Sequence, residues 1–292
     1  MGITTKVETI TPAKAEAYLK GNKKNRKVRR SVVQKYASAM SKGQWRLNHQ
    51  GLGFNGDGTL YDGQHRLLAV IESGKSVKML VTRGLEKDSM FGCDIGKNRD
   101  LVDVATIAGV DMDITRTHVS TARAMIDGIK TGAYGIGSSS WSFEDLISYI
   151  RTHWSAIEFA MNLELGAMSS ACVRAVAARA YYSVDHATLE EFFQILATGV
   201  TKSQAGMWPI KLREYLLTYK NPGGGFSLRR SLYAKTERAL LKFVDGAPFT
   251  RLREVLSECF ALPGEEVAAN ASDESDETLS LAGSRACPGR GL

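Results

Sequence analysis

The sequence predicts an α+β protein: a small α+β domain at residues 1–110, an all-helical domain at 111–262 and a disordered acidic tail at 263–292. Three observations predict it. Residues 25–85 switch between helical and strand periodicity, as one compact mixed unit would. From about residue 115 onward, apolar positions recur only at helical spacing. After residue 262 large apolar residues give way to Ser, Glu, Asp and Gly, a composition that buries too little to fold.

The N-terminal elements follow in order. Residues 1–19 read as an extended start and a short helix, entered at Thr11-Pro12 with proline in the first turn. Residues 20–30 then hold seven cations in eleven positions, a run disfavoured in a core. A helix follows with Ser31 as expected N-cap, and Val32, Val33, Tyr36, Ala37 and Met40 on one face. Gly43 stands where a helix ends. Leu52-Gly53-Phe54 and Thr59-Leu60-Tyr61 flank Asn55-Gly56-Asp57-Gly58, a hairpin signal. Leu67, Leu68 and Ile71 line the next helix, which Gly74 stops, and Val77 to Val81 reads as a buried strand.

The later segments read as helices. One is expected at 100–109. Ser142 caps Phe143 to Ile150, with Glu144 and Asp145 in the favourable first turn. Residues 170–183 are Ala-rich. Thr188 with Glu190 and Glu191 opens a helix closing near Gly199, and Ser227 starts a basic helix through Val244 after the loop at 221–225. Trp141, Trp154, Phe192 and Phe193 fall at core spacing.

The apolar content is 43% and the charged content 24%, enough for a core and ordinary for a globular chain. No apolar run approaches the ~18 residues of a membrane span, and Met1 to Lys6 lacks the apolar segment of a secretory signal. Cys93, Cys172, Cys259 and Cys287 have no C-x-x-C spacing, and His49, His118, His153 and His186 no ligand spacing. Reduced thiols, a cytoplasmic location and no structural zinc are the expectation. The chain carries +7, but residues 264–292 hold six carboxylates against two arginines, a net of −4, leaving +11 on the rest. That balance points to a polyanionic partner, DNA or a nucleotide.

The chemistry concentrates in Asp62-Gly63-Gln64-His65-Arg66, where a strand ends and a helix begins. Helix-start N–H groups lack internal partners and attract anions. Gly63 admits a phosphate to the backbone. Arg66 presents a fork for its oxygens, Gln64 donates and accepts, and His65 handles a proton near neutral pH. Asp62 is expected to cap the helix and to hold a metal or orient His65. Asp-Gly is also an ordinary hairpin exit, with His65 and Arg66 then plain surface residues. Five interactive residues in a row at such a junction favour phosphate binding.

This motif, with Val28 through Gly43, Trp45 and Leu60-Tyr61 ahead of it and Leu67-Leu68-Ala69 behind, resembles the ParB/sulfiredoxin superfamily, in its Asp-Gly-Gln-His-Arg branch common among phage and mobile-element proteins. The resemblance covers about 60 residues, Asn25 to Leu85. It implies a loop and helix start that hold a nucleotide's phosphates. Partition ParB proteins carry Gly-Glu-Arg-Arg here, and sulfiredoxins Gly-Gly-Cys-His-Arg. Gln64 replaces the sulfiredoxin cysteine, which excludes that chemistry. The missing glutamate and second arginine argue against a CTP switch.

Asp94, Gly96 and Arg99 form a second acidic-glycine-basic cluster, similar to strings in phage relatives. Arg26 lies where ParB-like domains begin and is placed to reach phosphates, and Lys23, Lys24, Lys27, Arg29 and Arg30 to contact nucleic acid. Helices at 211–220 and 229–242 add further cations for DNA. The function this implies is an enzyme acting on phosphorylated substrates, most concretely a transferase in phage-type DNA base hypermodification. His65, Asp62 and Gln64 would be catalytic, and Gly63, Arg66, Arg26, Arg99 and Asp94 would bind phosphate. A nucleotide or Mg fits as cofactor. A non-catalytic nucleotide- or DNA-binding regulator is the alternative, and a ParB-type nuclease, short of clustered carboxylates, ranks third.

Overall fold

The computed structural model describes residues 2–23, 25, 27–86, 99–129, 137–138, 141–218 and 226–265. The chain forms two compact units, Met1–Glu164 with Ser169–Ala178, and Leu165–Met168 with Arg179–Leu292. The first runs well past residue 110, the boundary drawn from periodicity.

The first unit opens with β1 (Thr4–Ile10) and α1 (Pro12–Leu19). Thr11 caps α1 by accepting from the Lys14 N–H, and Pro12 sits where a missing N–H costs nothing. α2 (Arg30–Ser41) begins one residue before Ser31. Its N-cap is Arg29, which offers no side-chain cap. At the far end Gly43 adopts φ +69, the Gly43 N–H reaches the Met40 carbonyl, and the Gln44 N–H reaches that of Ala39. This pair of bonds is a Schellman stop.

β2 (Leu52–Asn55) and β3 (Leu60–Asp62) form the hairpin, α3 (Gln64–Ser73) follows, and β4 (Val77–Leu85) returns. In the turn, Asn55 Oδ1 accepts from the N–H groups of Asp57 and Thr59. The sheet order is β1-β4-β2-β3. β1 runs antiparallel to β4, β4 parallel to β2, and β2 antiparallel to β3. β4 is longer than the apolar run 77–81 and only Met79 and Val81 are buried on it, so it is a one-sided strand. Ile10, Ala15, Val33, Ala37, Met40, Leu52, Phe54, Leu60, Leu67, Val70, Met79 and Val81 make one core. The fold is α+β.

Beyond residue 85, no described residue is in a strand. The first unit continues with α4 (Leu101–Ile107), α5 (Arg116–Asp127), α6 (Phe143–Thr152) and α7 (Trp154–Asn162). Ser142 caps α6 through the Asp145 N–H. The Asp145 carboxylate also takes Lys42 Nζ at 2.6 Å and Gln44 Nε2 at 2.8 Å, tying α6 to the end of α2. Trp141 and Trp154 are half-buried. They pack edge-on to Tyr149 and flat on His118, and are not the fully buried core residues expected.

α8 (Ala171–Ala180) ends in the second unit, which contains α9 (His186–Thr198), α10 (Met207–Thr218) and α11 (Phe226–Val244). α9 starts two residues before Thr188 because Asp185 is the N-cap, accepting from the Thr188 N–H. Phe192 and Phe193 are core, as expected, with ring centroids 5.0 Å apart. Phe260 and Leu262 are buried too. Glu265, assigned to the tail by composition, pairs with buried Arg179, so the packed chain extends past residue 262. Among the described residues no helix is long and apolar enough to cross a membrane.

Candidate functional site

The motif lies at the start of α3, and packing decides its geometry. Gly63 is the N-cap at φ +107, a conformation only glycine adopts freely. A Cβ there would stand 2.4 Å from Leu52 Cδ2. Asp62 therefore does not cap the helix, contrary to expectation. The role of Gly63 is to let β2 close against the helix start.

Gln64, His65 and Arg66 are 4%, 6% and 9% exposed. His65 Nε2 accepts the backbone N–H of Arg29 at 3.0 Å. That nitrogen is unprotonated, so the neutral ring carries its proton on Nδ1. Arg66 donates one nitrogen to the Gly51 carbonyl at 2.7 Å and to Asp62 Oδ2 at 3.1 Å. Its fork turns inward to β2. Gln64 Oε1 accepts from Asn22 Nδ2 at 3.3 Å. Asn25 Nδ2 bonds Asn22 Oδ1 at 2.6 Å and the Leu60 carbonyl at 2.8 Å, and the Leu60 N–H donates to the Gly21 carbonyl.

Together these bonds tie Gly21, Asn22, Asn25 and Arg29 to the helix start and the hairpin. The motif side chains Gln64 and His65 thus hold Asn22 and Arg29, which lie between α1 and α2. Along this stretch Lys20, Lys23, Lys27, Arg29 and Arg30 are exposed. Arg30 pairs with Glu72 at 3.2 Å, an exposed pair of small energetic weight. Lys24, Arg26 and Asp94 lie outside the described residues, as do Gly96, Cys93 and Cys287. Arg99 is exposed and precedes Asp100. Asp100 caps α4 in a reciprocal box with Asp103 and meets Arg116 Nε at 3.0 Å. Among the described residues no three His, Cys, Asp or Glu side chains converge as a metal site.

A second polar cluster escapes the sequence reading. Glu8, on β1, receives Arg83 at 2.5 Å, the Tyr18 hydroxyl at 2.6 Å and Lys14 at 2.7 Å. Arg83 also donates to the Tyr18 oxygen at 2.7 Å. Burial alone would raise the Glu8 carboxyl, but the bonds from Arg83, Lys14 and Tyr18 hold it at about 2. The available signal was register: Glu8 shares a strand face with buried Ile10, and Lys14 and Tyr18 lie one turn apart on α1.

Comparison with protein-family models, curated proteins and solved structures gave no match to the chain.

Proposed function

We propose that this chain binds nucleic acid through a cationic surface that the Asp62–Arg66 motif organises, in the manner of a ParB/sulfiredoxin-like module. The observation that carries the reading is the 3.0 Å bond from the Arg29 N–H to His65 Nε2. Through it and the Asn22–Gln64 bond, the motif anchors a stretch on which Lys23, Lys27, Arg29 and Arg30 are exposed. Pre-ordered cations bind phosphates without first losing the entropy of an unstructured arm. A net of +11 on residues 1–263 supplies the long-range attraction. The test is duplex-DNA affinity as a function of salt. Changing Lys23, Lys27, Arg29 and Arg30 to Ala together should weaken binding and flatten the log–log salt slope by roughly 0.9 for each phosphate no longer neutralised. An unchanged slope would place the interface elsewhere.

The exposed part of Asp62 supports a more specific reading. Its side chain is 39% exposed beside Arg66 at the helix entry. There the module acts as a phosphate-handling transferase in DNA base hypermodification. An incoming nucleophile bonds to the base-linked carbon as the C–O bond to the phosphate or pyrophosphate breaks; Arg66 and Arg99 stabilise the departing group, and Asp62 or His65 takes the nucleophile's proton. This activity requires Arg66 to leave the Gly51 carbonyl and His65 to leave Arg29. Turnover of a phosphorylated base that disappears in Asp62→Asn, with DNA affinity retained, distinguishes the enzyme from a non-catalytic DNA- or nucleotide-binding regulator.

A further inference from the structure

We propose that the cleft between β1, α1, the β2–β3 turn and the end of β4 is a nucleobase site, stacking a base on the Arg83 guanidinium. This deepens the nucleic-acid reading above and rests on it for the class of ligand. The cleft encloses about 580 Å3, within the ~300–1,000 Å3 range of small-ligand sites. It shares no lining residue with the Asp62–Arg66 motif.

Its walls are suited to a flat ring. Arg83 spends in-plane donors on Glu8 and the Tyr18 hydroxyl, at 2.5 and 2.7 Å. The guanidinium carbon lies 5.6 Å from the centroids of both Tyr18 and Phe54. Those two rings meet edge-to-face at 5.0 Å. Arg83 is thus backed by aromatic rings and locked in plane, while its side chain stays 40% exposed at the cleft. A guanidinium held this way offers its π face, a surface that takes any base.

The rest of the lining leaves room. Glycines 21, 56, 58 and 84 put bare backbone along the cleft, with no side chain to take the space of a flat ring. Lys14 and Arg83 outweigh Glu8 by one charge, which suits a phosphate attached to the base. An acyclic or sugar ligand would make no use of the stacked guanidinium.

The experiment titrates the full chain with AMP, GMP, CMP and UMP, using ribose 5-phosphate as the baseless control. Two variants accompany it. A Cβ on Gly56 meets nothing within 4 Å, so Gly56→Trp sets a bulky ring on the cleft's lining without backbone strain. Arg83→Lys keeps the charge beside Glu8 but removes the planar face. The expected result is binding of at least one monophosphate, weakened tenfold or more by each variant, with ribose 5-phosphate binding at least tenfold more weakly than that monophosphate. Equal affinity for ribose 5-phosphate, insensitivity to Gly56→Trp, or no nucleotide binding overturns the site. Duplex-DNA binding without nucleotide binding would sink this site alone. Gly56-sensitive nucleotide binding without DNA binding would sink the DNA reading alone.

Discussion

Arg29 donates its backbone N–H to His65 Nε2 at 3.0 Å, so the imidazole holds a chain segment in place as a staple would. The ring is 6% exposed, and the fit is one of shape as well as bonding. His65→Ala removes the acceptor and leaves a cavity, which should cost roughly 2–3 kcal/mol of stability. Urea unfolding measures it, and a change within about 0.5 kcal/mol would show that the bond carries no weight. Arg66 is a similar case. Its charge is met by Asp62 and its donor by the Gly51 carbonyl, so it ties the helix start to β2.

The start of α3 shows how far an element is legible from sequence. Gly63 announces a special backbone position, and Gly43 and Gly74 announce helix ends, because each fills a conformation other residues avoid. The hairpin, α1, α2, α3 and β4 follow from periodicity and turn chemistry, both local signals. What Gly63 faces is not local. Leu52 lies eleven residues earlier, and only the closed sheet brings it over the glycine. The same holds for His65 and Arg29, and for Glu8 and Arg83, which stand on paired strands far apart in the chain. Residue types told of chemistry at Asp62–Arg66, while burial turned much of that chemistry inward. Gly63→Ala should cost about 2 kcal/mol or more, from positive φ and the collision with Leu52. Thermal unfolding checks it; an unshifted midpoint would mean the helix start rearranges freely.

At the scale of the molecule, one carboxyl in each unit couples stability to pH, in opposite directions. Glu8 sits at about 2 against an ordinary 4.5, so its contribution is full above 4.5 and is lost as pH falls toward 2. Glu8→Gln should lessen the acid sensitivity of the first unit, leaving the share of Asp145, whose carboxyl, despite burial, the bonds from Lys42 and Gln44 also hold low. In the second unit Glu237 is fully buried. Burial first, and then the neighbouring Glu258 carboxylate, push its carboxyl well above the ordinary 4.5. Folded, it keeps a proton that the unfolded chain releases, so stability falls as pH rises past 4.5. Glu237→Gln should flatten that fall and stabilise the unit at pH 8 more than at pH 5; calorimetry showing equal shifts at both would contradict it. The pairing of β1 with β4 also has a consequence in time. Thr4 aligns with Arg83 and Ile10 with Val77. During synthesis the first strand therefore waits, without its neighbour in the sheet, until Leu85 has left the ribosome. Its amides should be the last in the sheet to gain protection from hydrogen exchange and the first to lose it.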